Sequence, residues 1–214
     1  FVAVGFHGIR GYEGPIYATG NSYNLPTQDL VDEFENGDPR LEASVLDIEA
    51  FKADQADPDE VDYTIGGGGH TGYYNNKYLK RVNELGLPDD DLTSPVNHKV
   101  IRYADVLLMA AEAHNRKASP NDALALQYLN EVRQRPSVDM PALVGISGAA
   151  LTNAIWHERR VEFAGEGLHF FDLVRTGRAA AQITGFTVNK NELFPIPQDE
   201  IDLAGAGWPQ NQGY

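Results

Sequence analysis

Glu158, Arg159, Arg160, Glu162 and Glu166 crowd one short stretch of the chain, and Arg133 and Asp172 lie on neighbouring segments. Paired carboxylates can divide acid and base work when their surroundings push their pKa values apart. Ion pairs between packed helices account for the same residues, because charges held near a core need partners. We take the second reading. His157-Glu158-Arg159-Arg160 begins like a zinc-protease helix, but Val161 stands where the second histidine would be, so a ligand is missing. Gly67 to Gly72 fits GxGxxG, yet no apolar strand precedes it and no βαβ pattern follows. It reads as a flexible loop. Asp54, Asp57, Asp59 and Glu60 are hard oxygen donors, but Pro58 interrupts them and no glycine marks the turn of an EF-hand. They read as a solvated acidic loop, with calcium as the alternative. No order of Ser, His and Asp suggests a nucleophilic triad. We therefore assign no catalytic residue, no metal ligand and no cofactor.

The residues best suited to recognition are Tyr12, Tyr17 and Tyr23, on a loop punctuated by Gly8, Gly11, Gly14 and Gly20. Rigid aromatic faces bind the apolar C–H face of a sugar, and Asn21 and Asn24 can read hydroxyls. The alternative for each tyrosine is that it pins the loop to the core. We expect ligand contacts at Tyr12, Tyr17, Tyr23 and Asn24.

The elements that must hold these residues belong to a chain of 214 residues with 31 acidic and 17 basic side chains, a net charge of -14. An acidic balance disfavours duplex nucleic acid, which wants a basic face. There is no cysteine, which removes disulfides, thiolate metal sites and a cysteine nucleophile. No apolar run approaches the roughly 18 residues of a membrane span. The chain opens on Phe1-Val2-Ala3-Val4-Gly5-Phe6, apolar and strand-like, without an initiator Met or a signal peptide. We expect that material precedes it.

Thr27 offers a cap for a helix over Gln28–Phe34, with Leu30, Val31 and Phe34 as its apolar side. Leu87 to Asp91 reads as a loop. Val100–Lys117 is apolar over a wide arc, so it should pack between neighbours. Ser119 as cap, Pro120 and Asp122 mark the next start, Ala125, Leu126, Leu129 and Val132 form its stripe, and Pro136 ends it. The two should form a helical hairpin over about 100–135. A third helix runs from Leu151 to Ala164, Phe170–Arg175 adds a further turn or two, and the tail from Phe186 should be extended.

Ile101-Arg102-Tyr103-Ala104-Asp105-Val106-Leu107-Leu108-Met109-Ala110-Ala111-Glu112-Ala113 closely resembles the signature of SusD/RagB-type outer-membrane lipoproteins. Further motifs of that family lie in the expected order along the chain: Leu25 to Asp32 with Asp38-Pro39-Arg40, Lys77-Tyr78, Leu129 to Arg135, Ile155 to Gly167 with Glu158-Arg159-Arg160 and Glu162, Phe170 to Leu173 with Arg175, Leu193 to Pro197 and the closing Gln210 to Tyr214. Gln212 and Ala164 depart from its pattern. The resemblance covers nearly the whole chain from Leu25 onward.

It implies a mainly α fold with extensive irregular loops, built on one tetratricopeptide-type hairpin plus a third helix. Residues 1–214 would be the C-terminal region, with the lipid-anchored N-terminal half absent. It also implies a cell-surface protein of the outer membrane, attached only through that missing anchor. Such a protein captures an oligosaccharide or peptide without catalysis and delivers it to a SusC-like TonB-dependent transporter. The alternatives are a tetratricopeptide-type interaction scaffold and, third, a two-carboxylate glycosidase.

Overall fold

The computed structural model describes residues 6–66, 70–86 and 95–214. The opening residues 1–5, Gly67–Gly69 of the glycine-rich motif and the whole Leu87–Asp91 loop lie outside them. The chain divides into two compact units, one reaching to Glu166 and one from Gly167 to Tyr214.

The first unit is built on three helices. The helices α4 (Tyr103–Arg116) and α5 (Asp122–Arg133) form the expected hairpin, and α6 (Gly148–Glu162) packs on both. Each buries one apolar side: Leu107, Leu108 and Ala111 from α4, Ala125, Leu129 and Val132 from α5, Leu151 and Ile155 from α6. These spacings of three, four and seven set one face inward. The wide apolar arc foreseen for α4 is only half used. Tyr103, Val106 and Met109 stand exposed along its opposite side, as do Val100 and Ile101 before it.

Two end signals differ from expectation. The helix α5 starts at Asp122 with Asn121 as its cap, not Ser119, because the Asn121 side chain accepts from the Leu124 backbone N–H. The Asp122 carboxylate is drawn elsewhere: it accepts from the Gly148 N–H and the Asn115 amide, tying the start of α5 to the start of α6. The helix foreseen over Gln28–Phe34 narrows to α1 (Gln28–Val31), and turns carry Phe34 inward.

Two small sheets complete the unit. The strands β1 (Ile9–Arg10) and β2 (Thr19–Gly20) pair in parallel. Later in the sequence, α2 (Arg40–Ser44) leads into β3 (Val45–Asp47), which pairs antiparallel with β4 (Tyr73–Asn75). A second core gathers Ile9, Tyr12, Tyr17, Ile48, Val61, Tyr74 and Leu79; Ile48 and the partly buried Phe51 come from α3 (Ile48–Ala53). A third joins Phe34, Val45, Val161 and Ala164.

The second unit holds α7 (His169–Arg175), α8 (Ala179–Gln182) and α9 (Gln198–Ala204). The helix α9 corrects the reading of the tail as extended. It follows Pro197, carries Asp199 and Glu200 in its first turn and stops at Gly205 with φ +68°. Those are ordinary start and stop signals, masked in the sequence by the surrounding Pro, Gly and Asn.

Candidate functional site

The loop 7–24 is held by close backbone packing. A Cβ on Gly8 would lie 2.9 Å from the Gly20 Cα, so only glycine lets β1 and β2 approach. Tyr12 and Tyr17 point inward, 5% and 7% exposed. Their rings meet edge to face at 5.7 Å, and Tyr17 continues onto Phe51 at 5.2 Å. The Arg81 guanidinium lies over Tyr17. These two rings spend their faces on the core.

Tyr23 is different. Its ring is 56% exposed and stacks on the exposed Phe6 at 6.0 Å and 27°. Asn24, at φ +56°, donates its amide to the Gly165 carbonyl at 3.0 Å. Gly165 also accepts from Asn75 at 2.8 Å, and at φ +75° a side chain there would strike Asn75. The end of α6 thereby fastens both β4 and the Tyr23 loop. The exposed Asn21 is held by its carbonyl, which accepts from Arg10. The structure thus sets the Tyr23 and Phe6 rings outward, with Asn24 beside them on a pinned backbone. It places Tyr12 and Tyr17 beneath. Phe6 was missed because nothing in its neighbours distinguishes an outward ring from a core one.

The charged residues of α6 form a connected network with other segments. Glu158, fully buried, sits between Arg40 and Arg133; the Arg133 Nη1 donates at 2.9 Å. Arg40 is held by Asp38 at 2.7 Å and Arg133 by Glu35 at 2.6 Å. Glu162 accepts from Arg135 at 2.7 Å and Arg102 at 2.8 Å, and Glu166 from Lys77 at 2.7 Å and Arg102 at 2.8 Å. Arg159 pairs with Asp105, and Arg160 with Glu33, each at 2.7 Å. Asp172, grouped with these in sequence, pairs with Arg175 of its own helix. Arg40, Asp38, Glu35, Arg102 and Arg135 were not foreseen as members. They lie far off in sequence, and only the fold brings them in.

This arrangement is poorly suited to acid catalysis. Burial alone would raise the Glu162 carboxyl, but the bonds from Arg135 and Arg102 outweigh it and hold it below its ordinary value. Glu166 is lowered in the same way: Arg102 and Lys77 overcome the effect of burial. A general acid needs a carboxyl raised toward neutrality, the opposite shift. Burial also pushes the Lys77 ammonium down.

The acidic loop does ordinary capping. Asp57 accepts from the Asp59 N–H at the start of a short 3₁₀ turn, and Asp47 caps α3. Among the described residues no three His, Asp or Glu side chains are grouped to hold a metal ion, and no helix is long and apolar enough to cross a membrane.

The family model described as the SusD family matches residues 13–214. The chain belongs to the SusD family. It is 32% identical over 139 residues to "SusD-like protein P38" of Formosa agariphila, covering 55% of this chain and 28% of that protein. Among solved structures it is similar to a "Laminarin binding SusD-like protein", with a TM-score of 0.83 and 35% identity over 100% of this chain and 44% of that one. It is also similar to surface glycan-binding protein A from Bacteroides thetaiotaomicron in complex with laminarihexaose, with a TM-score of 0.77 and 28% identity over 97% and 46% of the two chains. This SusD-family chain spans less than half the length of each of these relatives. The ordered motifs and the mainly helical fold are those of the family.

Proposed function

We propose that this chain is part of a cell-surface protein of the outer membrane that captures an oligosaccharide. The protein passes its ligand to a SusC-like TonB-dependent transporter and performs no chemistry on it. The observation that carries the reading is the likeness, over the full chain, to a protein named for binding laminarin. The carboxylates at and just beyond the end of α6 support the absence of catalysis, since their cationic partners hold Glu162 and Glu166 below the ordinary carboxyl value. A peptide ligand is the second form of the same proposal.

On this chain the contact surface is the outward Tyr23 and Phe6 pair with Asn24. A sugar's hydroxyls are well solvated, so affinity comes from covering its C–H face with a flat ring that has few rotamers to freeze. Tyr23 has such a face open to solvent; Tyr12 and Tyr17 do not. Laminarihexaose affinity is the test, measured by calorimetry on wild type and Tyr23→Ala. A true stacking ring should cost about 1–3 kcal/mol of binding when truncated and leave melting almost unchanged. Undiminished affinity in Tyr23→Ala removes this surface from the proposal. Release of new reducing ends would overturn the non-catalytic reading. Co-purification with the neighbouring transporter barrel tests delivery.

A further inference from the structure

The network around Glu162 and Glu166 does not fill the space it encloses. A cavity of about 280 Å³ lies among α2, the segment after β4, residues 96–99 and the C-terminal ends of α5 and α6. Arg40, Lys77, Arg102 and Arg135 line it together with Glu162 and Glu166, and Lys99 stands on its wall. That volume is below the ~300–1,000 Å³ of a typical small-molecule site, which suits one substituent or one sugar ring.

Counting donors against acceptors shows what is missing. Both Glu162 carboxylate oxygens accept guanidinium bonds, from Arg102, Arg40 and Arg135, and its backbone carbonyl accepts from Lys77 and Arg102. Both Glu166 oxygens accept as well, from Lys77 and Arg102. The carboxylate acceptors in the wall are thus occupied. The donors are not. Lys77 uses two of its three N–H groups, on the Glu162 carbonyl and Glu166. Arg135 donates through Nη1 and Nε and leaves Nη2 unused. Lys99 is exposed and, among the described residues, makes no ion pair. In the wall the buried Ser44 hydroxyl also lacks a partner.

Charge gives the same answer. Arg40, Lys77, Arg102 and Arg135 are offset by Glu162, Glu166 and, behind Arg40, by Asp38 and Glu158. Among the described residues Lys99 is the surplus positive charge. A chain with a net charge of -14 keeps here a cavity with unused N–H donors and, among the described residues, one cation without a paired carboxylate.

We propose that this cavity is a subsite for a singly charged oxyanion on a sugar, the carboxylate of a uronic acid or a sulfate ester. Lys99, Lys77 and Arg135 are its donors. The proposal rests on the glycan-capture reading and names the substrate class within it: an acidic glycan rather than a neutral one. Charge-assisted N–H bonds of this kind are the strong ones, and a partly enclosed site screens them less than open water does.

The test uses three hexasaccharides on the whole chain: neutral laminarihexaose, an oligouronate and a sulfated galactan fragment. Affinity is measured by calorimetry at low and high salt for wild type, Lys99→Glu and Lys99→Arg. Lys99 is a surface residue, so its variants should fold. The oligouronate, the sulfated fragment or both should bind about tenfold more tightly than laminarihexaose at low salt, with the gap narrowing as salt rises. Which of the two does so tells carboxylate from sulfate ester. Lys99→Glu should abolish the gap and Lys99→Arg preserve it, with laminarihexaose affinity unchanged in both. Equal binding of all three, or a gap that survives Lys99→Glu, overturns the subsite and leaves glycan capture standing. Binding of none of the three overturns both.

Discussion

Glu158 is fully buried between two buried guanidiniums, so it offers the sharpest perturbation of the fold. Glu158→Gln keeps the shape and one acceptor but removes the charge and points an amide donor at one of the arginines. Breaking a buried pair by removing one partner costs about 3–5 kcal/mol, because the remaining charge is left buried. Here each arginine retains another carboxylate. Arg40 keeps Asp38 at 2.7 Å and Glu162 at 3.2 Å, and Arg133 keeps Glu35 at 2.6 Å. The loss should therefore fall near the lower end, about 3 kcal/mol. For a chain of this length that is a drop in melting temperature of roughly 6–12 °C.

Urea unfolding read by Trp156 fluorescence measures it directly, since Trp156 is on the same helix. Trp208→Phe removes the other tryptophan, which lies in the second unit. The midpoint should fall with the slope unchanged. In an Arg133→Met background the added cost of Glu158→Gln should shrink by about 1 kcal/mol or more, as residues sharing one network are not additive. A Glu158→Gln protein within about 0.5 kcal/mol of wild type would refute the reasoning, because this is the range of ordinary surface changes.

His157 should give stability a dependence on pH. The Glu33 carboxylate, 2.7 Å from its Nδ1, raises its folded pKa above the ordinary 6.5. Its contribution is fully present below that value and lost as pH rises through the raised one, so the stability gap between wild type and His157→Gln should be largest below pH 6.5 and narrow as pH climbs above it. Glu35, Glu162 and Glu166 are depressed from 4.5, so their contribution is present above that value and fades as pH falls through the lowered values. Melting curves of wild type across acid pH should show it. Leu129→Ala, at a fully buried position of α5, should cost about 2–4 kcal/mol in urea unfolding. Tyr12→Ala and Tyr17→Ala should each lower the melting temperature by several degrees, at about 3–5 kcal/mol for a buried aromatic, while a surface ring such as Tyr23 should not.

The three central helices and the family were legible in the residues themselves. Apolar spacing, Pro136 and the ordered motifs are local features, and helices answer to local features. The helix α9 was equally local and was passed over amid glycines and prolines. The separation of Tyr23 from Tyr12 and Tyr17 was not legible. All three share one residue type and one glycine-rich loop, and which ring faces water depends on Phe51, Val61 and Leu79 arriving from elsewhere. The same holds for the charges. That Glu158 and Glu162 need cations follows from their place on a packed helix. That Arg40 and Arg133 reach Glu158, and that Arg135 and Lys77 converge on one cavity with Lys99, depends on contacts across many residues. Coulomb attraction and donor geometry act through space, and chain order does not determine distance until the core has folded.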